Sequence, residues 1–410
     1  MKVRKRLGLA TLVLFLVVAG FVYLPSCKTA PGGCSESGPQ VSDHFDGVRY
    51  FNPRVTRESQ GPSGQVPSRG PSWWVWHWIF RSDWPEWPKE TDSKPGPAPA
   101  ARVPEGSLSV TPVGHSTFLI QMDGANILTD PIWSERCSPF PWIGPKRYRE
   151  PGIRFEDLPP IDVVLISHNH YDHLDVPTLK RLAKRGTLRS VVPLGNLDLV
   201  RSTGIAAVEE LDWWQTIRLK QGITITFVPA HHFSSRSLWD RNKTLWGGFV
   251  ISGPSGNVYY SGDTGYGPHF REIARRFSPI RVALLPIAPF RPAKTDEKTQ
   301  GYRSIVHMGP KEAVMAHLDL NPQMSIAAHF RVFRLGMEGF DDAEKALAIS
   351  LKEHDLAPDA FVAPVLGRAI SPPSALSASS RPAYQEKPCA GPRLFDVPSA
   401  AHVAARQVGP

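Results

Sequence analysis

The run His168-Asn169-His170-Tyr171-Asp172-His173 puts three imidazoles and a carboxylate within six residues. One apolar core cannot satisfy all four side chains, whereas a loop can point them into a shared cavity. Imidazole nitrogen and carboxylate oxygen suit zinc and, less exclusively, iron or manganese. Four donors from one turn cannot surround two metals, so further donors must come from distant segments. His231-His232, Asp263 (within Ser261-Gly262-Asp263-Thr264-Gly265) and His329 each follow a short apolar run. A lone histidine in such a place is more often structural. Five histidines and two aspartates, all at strand exits, reverse those odds. The four cysteines, Cys27, Cys34, Cys137 and Cys389, form no C-x-x-C pair. They supply neither a zinc knuckle nor a redox motif, and any metal falls to histidine and carboxylate.

The elements that must position these groups can be read from apolar runs. Residues 163–166 are short, apolar and β-branched, as in a fully buried strand, and they lead directly into the histidine turn. Residues 223–229, 258–261 and 324–328 precede the other donors in the same way. Further strands are expected at 108–113, 117–122, 126–129, 190–193, 246–252 and 282–286, with Asp123-Gly124 as a turn. Helical patterns cover 176–184, 269–277, 310–318 and 341–353, the last with Asp341 or Asp342 as N-cap. Clustered strands interrupted later by helices predict a layered α/β fold with stacked sheets.

The chain has 410 residues, enough for one large domain or two ordinary ones. Its 41 prolines mark segments outside the core. The net charge of +9 is scattered, and nothing resembles a nucleic-acid module, so that partner is not expected. Lys2, Arg4, Lys5 and Arg6 precede an apolar stretch at 7–24 and then Pro25-Ser26-Cys27. This describes an export signal or membrane anchor; the stretch resembles a lipoprotein signal with Cys27 as the lipidated residue. The positive-inside rule then puts the body outside the cytoplasm. Residues 28–105 read as a linker and a tryptophan-rich arm holding Trp73, Trp74, Trp76, Trp78, Trp84 and Trp87. Packing of these indoles on the body is favoured over lipid contact, since prolines 85 and 88 break any amphipathic helix. The folded body is expected at 106–367 and a disordered tail at 368–410.

The pattern His168-x-His170-x-Asp172-His173, with His232, Asp263 and His329, resembles the metallo-β-lactamase superfamily. More specifically, the chain is similar to the N-acyl-phosphatidylethanolamine-hydrolysing phospholipase D family. Matching stretches include Gly114-His115-Ser116-Thr117, Leu128-Thr129-Asp130-Pro131-Ile132, Gly144-Pro145-Lys146-Arg147, Leu211-Asp212-Trp213-Trp214 and Ser261-Gly262-Asp263-Thr264-Gly265-Tyr266. The resemblance implies an αβ/βα sandwich of two mixed sheets flanked by helices, with two zinc ions at one edge. It assigns His168, His170 and His232 to the first ion, Asp172, His173 and His329 to the second, and Asp263 to both. His231 is the less favoured of its pair. Tyr171 and His307 are implied to face substrate, and His115 is either a residue behind the ligands or structural.

Two cations sharing a water lower its pKa from near 16 toward about 7, giving a nucleophile at neutral pH. Asp172, Asp263 and His307 are the implied catalytic residues, and a phospholipid and the membrane the implied partners, with a homodimer left open. A hydrolase of a soluble phosphoester, lactone or thioester on the same scaffold is the alternative, because one fold hosts many chemistries. A basic loop with Arg291, Lys294, Lys298 and Arg303 would suit an anionic substrate or simply face solvent.

Overall fold

The computed structural model describes residues 42–52, 85–89, 91, 93–290 and 306–373. The export or anchor segment, Trp73, Trp74, Trp76, Trp78, Trp84 and the basic loop residues Arg291, Lys294, Lys298 and Arg303 lie outside them. No helix among the described residues is long and apolar enough to cross a membrane.

Two sheets form in chain order. The first joins β1 (Leu108–Gly114), β2 (Thr117–Met122), β3 (Ala125–Thr129), β4 (Val163–Leu165), β5 (Arg189–Pro193) and β6 (Ala207–Leu211). The second joins β7 (Thr216–Arg218), β8 (Thr224–Val228), β9 (Gly248–Gly253), β10 (Gly256–Tyr260), β11 (Ile280–Pro286), β12 (Met324–Ala328) and β13 (Phe361–Val362). Each sheet begins with antiparallel neighbours and ends with parallel ones. The β2–β3 turn places Asp123 at φ +51° and Gly124 at φ +81°, the pair of positive values that a tight hairpin turn requires.

Parallel strands need crossovers, and helices supply them. In the first sheet these are α1 (Val176–Ala183) and α2 (Leu197–Arg201). In the second they are α3 (His269–Phe277), α4 (Pro310–Leu320) and α5 (Asp342–Glu353). Alternating side chains divide the core into layers. Phe118, Ile120, Phe249, Ile251, Val258 and Tyr260 fill the space between the sheets. Leu119 and Val164 turn the other way, toward Leu179 and Leu182 of α1. Val250, Tyr259 and Leu285 face Phe270, Val314 and Leu347 of α3, α4 and α5. The result is helix, sheet, sheet, helix: the expected αβ/βα sandwich.

Two expectations need correction. Residues 42–52, expected as linker, lie on the body, with Ser42 and His44 buried. The body does not end at 367: Ile370 bridges Val110, and the carbonyls of Pro372 and Pro373 accept from Arg281. Asp341 takes the expected N-cap position of α5, with its carboxylate on Arg331 and not on the helix N–H groups. Of the tryptophan arm, Trp87 is described, and it is buried: its Nε1 donates to the Glu338 carbonyl at 3.0 Å and its ring meets Tyr148 and Phe340 edge-on.

Candidate metal centre

Donor residues collect where the strands end, at one edge of both sheets. His115 follows β1, Asp130 follows β3, and the 168–173 turn follows β4. His232 follows β8, Asp263 follows β10, and His329 follows β12. Bringing these exits together strains the backbone: His115 (φ +55°), Asp130 (+32°) and His329 (+65°) all take left-handed conformations. Such positions cost about 1–3 kcal/mol each and persist where the surrounding structure enforces them. Gly262 (φ +59°) answers the same crowding, since a Cβ there would lie 2.5 Å from the Ser167 Cβ.

All seven residues expected as ligands meet in one cluster. The first group is His168, His170 and His232. His170 Nδ1 stands 2.8 Å from His168 Nε2 and 3.2 Å from His232 Nε2. The second group is Asp172, His173 and His329, with His115 beside them. Asp172 Oδ2 lies 3.3 Å from His329 Nε2 and 3.4 Å from His173 Nε2. Asp263 Oδ2 faces both groups, at 3.0 Å from His329 Nε2, 3.2 Å from His173 Nε2 and 3.9 Å from His232 Nε2. Donors around an ion with bonds of roughly 2.0–2.2 Å stand about 3–3.5 Å apart, so these spacings suit metal shells. The Nε2 atoms of His173 and His329 and Oδ1 of Asp263 are buried without a hydrogen bond. Aimed inward and unsatisfied, they are what a cation would complete.

The outward nitrogens are held. Asp130 accepts from His173 Nδ1 at 2.6 Å, from Ser167 N at 2.7 Å, and from the hydroxyls of Ser167 and Tyr260 at 2.5 Å each. With its own proton given to Asp130, Ser167 Oγ accepts from His168 Nδ1 at 2.9 Å. His232 Nδ1 donates to the Val306 carbonyl at 2.8 Å. Each contact places the proton on the outer nitrogen and leaves the inner lone pair for a metal.

Electrostatics follow the same division. Burial drives His168 and His232 well below the ordinary imidazole range and His170 down to about 3, so the first group is neutral. Burial also opposes charge on Asp172 and Asp263, but His173 and its neighbours hold both carboxyls well below their usual range. The same burial opposes charge on His173 and His329, yet Asp263 and Asp172 outweigh it, raising His173 well above normal and His329 to about 9. A cation bound there would displace those protons.

The remaining expected residues divide. His307 reaches the rim, with Nδ1 3.7 Å from Asp263 Oδ2 and its ring 4.9 Å from His232. Tyr171 sits beside the cluster, but its hydroxyl donates to the Arg236 carbonyl at 3.0 Å and the Arg236 guanidinium covers its ring. Its polar end is therefore committed to the 233–242 loop. His231 points away and packs on His269, as the choice of His232 requires. His115 stands directly behind the second group: Nε2 donates to Asp172 Oδ2 at 2.9 Å. Asp130 is a supporting residue that the ligand pattern in the sequence does not include. Its one signal there was its place in Leu128-Thr129-Asp130-Pro131, just after a strand. Asn52, which contacts His232, gave no signal, because it lies 180 residues away.

A model of the beta-lactamase superfamily domain matches residues 125–330. The chain is 33% identical over 275 residues to N-acyl-phosphatidylethanolamine-hydrolyzing phospholipase D 1 of Caenorhabditis elegans, covering 64% of this chain and 75% of that protein. It is 33% identical over 231 residues to a metal-dependent hydrolase of Methanopyrus kandleri, covering 55% and 85%. The isothiocyanate hydrolase from Delia radicum gut bacteria shares the fold, with a TM-score of 0.51 and 20% identity over 64% of this chain and 98% of that one. The convergent donors and these relatives agree: the chain belongs to the metallo-β-lactamase superfamily, as a metal-dependent hydrolase homologous to the N-acyl-phosphatidylethanolamine-hydrolysing phospholipases D.

Proposed function

We propose that the protein is a binuclear zinc phosphodiesterase of phospholipase D type, acting on N-acyl-phosphatidylethanolamine or a closely related phospholipid. The observation that carries the metal reading is Asp263 Oδ2, within 4 Å of imidazoles from both donor groups. His168, His170 and His232 would hold one ion, Asp172, His173 and His329 the other, and Asp263 would serve both. When bound, the pair supplies a hydroxide nucleophile at neutral pH and offsets charge on the phosphoryl oxygens.

The protein's own groups would do the rest. Asp172, steadied by His115 Nε2, keeps a charged oxygen facing the reacting centre, where it can orient a proton. His307 is partly exposed at the rim, placed to contact a phosphate oxygen. Tyr171 acts through packing rather than proton transfer, since its hydroxyl is bound to Arg236. The lipid part of the reading rests on the 33% identical phospholipase D relative. The exposed loop that holds the Tyr171 hydroxyl supports it, carrying Leu238 and Trp239 (42% and 55% exposed). Tryptophan favours the bilayer interface, where an apolar ring and a polar N–H are both satisfied. We further propose an N-terminal lipid or membrane anchor that holds the body outside the cytoplasm, which mass spectrometry of the mature N-terminus tests.

Zinc-loaded full-length protein incubated with N-acyl-phosphatidylethanolamine vesicles is expected to release N-acylethanolamine and phosphatidic acid, read by mass spectrometry. Soluble phosphodiesters and lactones run alongside provide the contrast. Turnover confined to a soluble substrate would reject the lipid assignment and leave the metal centre standing.

A further inference from the structure

We propose that residues 42–52 form a strap whose Asn52 positions His232 for metal binding. The inference rests on His232 being a ligand. The Asn52 side-chain amide pairs with the His232 main chain in both directions: Nδ2 donates to the carbonyl at 2.9 Å and Oδ1 accepts from the N–H at 3.1 Å. This is the pairing that a neighbouring strand would provide, delivered here by a single side chain. Trp246, fully buried, donates its Nε1 to the same Oδ1 at 3.0 Å and so backs the amide with rigid core.

A second attachment lies nearby. Tyr50 N donates to the Asn242 carbonyl at 2.8 Å, and Asn242 N returns to the Ser234 carbonyl at 2.8 Å. Residues 50 and 52 thus hold both stems of the loop that begins at His232. The strap has its own anchor away from the cluster. The His44 ring stacks on Trp213 at 3.8 Å, and its Nε2 stands 2.9 Å from Asp212 Oδ1. His232 is consequently fixed from two directions, by Val306 at the imidazole and by Asn52 at the backbone. Metal binding tolerates misplacement of a donor by only about 0.5 Å, so loss of the backbone hold should reach Nε2. The strap lies outside the matched domain at 125–330. Asn52 is accordingly a positioning residue that acts through His232.

The test uses the full-length, zinc-loaded chain and reads zinc retained per protein across a chelator series, together with the thermal midpoint of the metal-stripped protein. Asn52→Ala should lose one of two ions at roughly tenfold lower chelator, the usual scale for a group behind a ligand, while the other ion is held as before. His44→Ala loosens the strap at its remote end and should give a smaller change of the same kind. It carries the test if Asn52→Ala does not fold. Val48→Ala, on the exposed edge of the strap, should match the parent. A lowered thermal midpoint with unchanged retention of both ions would make the strap merely structural and overturn the proposal. A parent chain that binds no zinc would instead overturn the ligand assignment, and this inference with it.

Discussion

His168, His170 and His232 meet as three neutral imidazoles, while Asp172, His173 and His329 combine carboxylate and imidazole under strong mutual charge. The two groups also differ in what holds them. Behind the second stand His115, at the end of β1, and Asp130, seated at the end of buried β3, which also reaches His168 of the first group through Ser167. Both supports are side chains embedded in the sheet edge. The first group contains His232, whose supports are a loop carbonyl and the amide of a strap far away in sequence. The second group should therefore be as rigid as the core, whereas the first, through His232, inherits the order of a loop and strap. Chemical identity of the donors does not reveal this; the residues behind them do.

The largest effect should come from the residue the groups share. Asp263→Ala removes the oxygen that faces both, so zinc content should fall from both sites and activity by on the order of 10³-fold or more. Metal analysis and turnover measured on the same sample check this; full zinc content with normal turnover would reject the shared role. Next in size is Asp130→Ala, which leaves the buried Ser167, His173 and Tyr260 donors without their acceptor. Unfolding free energy should drop by roughly 3–5 kcal/mol. In the folded fraction, the ion held by His173, which loses its acceptor outright, should weaken by about 10–100-fold, and the ion held by His168, which Asp130 reaches only through Ser167, should weaken less. Denaturant titration and metal retention would show this, and loss of both ions in step would merge the groups into one unit.

The smallest effect should touch neither group. Glu338 is 4% exposed, and burial pushes its carboxyl up to about 7, with the Phe290 N–H partly opposing the shift. The native state then keeps a proton that an unfolded glutamate releases near about 4.3. Stability from this source is fully present below that unfolded value and is lost as pH rises through about 7. Glu338→Gln stays neutral, so its thermal midpoint should match the parent at low pH and exceed it above pH 7, with zinc retention unchanged. Parallel pH profiles for the two proteins would contradict that account.

Much of this was legible from residue order. Ten strands and four helices announced themselves because buried strands read as short β-branched runs and helices as apolar repeats. β6 and β7 did not. Ala207–Leu211 carries Glu209 and Glu210 at an edge, and Thr216–Arg218 is three residues long, so neither shows a strand's pattern. The seven donors were legible because each follows a strand closely in the chain. Asp130 is half visible, since it follows a strand within Leu128-Thr129-Asp130-Pro131 but carries no ligand spacing of its own. Asn52 and His44 were invisible, since a Pro-, Gly- and Ser-rich stretch looks like a linker until its partners 180 residues away are known. Tyr171 shows the reverse: the family resemblance implies substrate contact, and only the geometry reveals that Arg236 holds its hydroxyl.

The most direct test of the central claim is anomalous diffraction at the zinc edge from crystals of the zinc-loaded protein. Two peaks are expected about 3.5–4 Å apart, one among His168, His170 and His232, the other among Asp172, His173 and His329, with the Asp263 carboxylate reaching both. A single peak, or a second one outside this cluster, would contradict it.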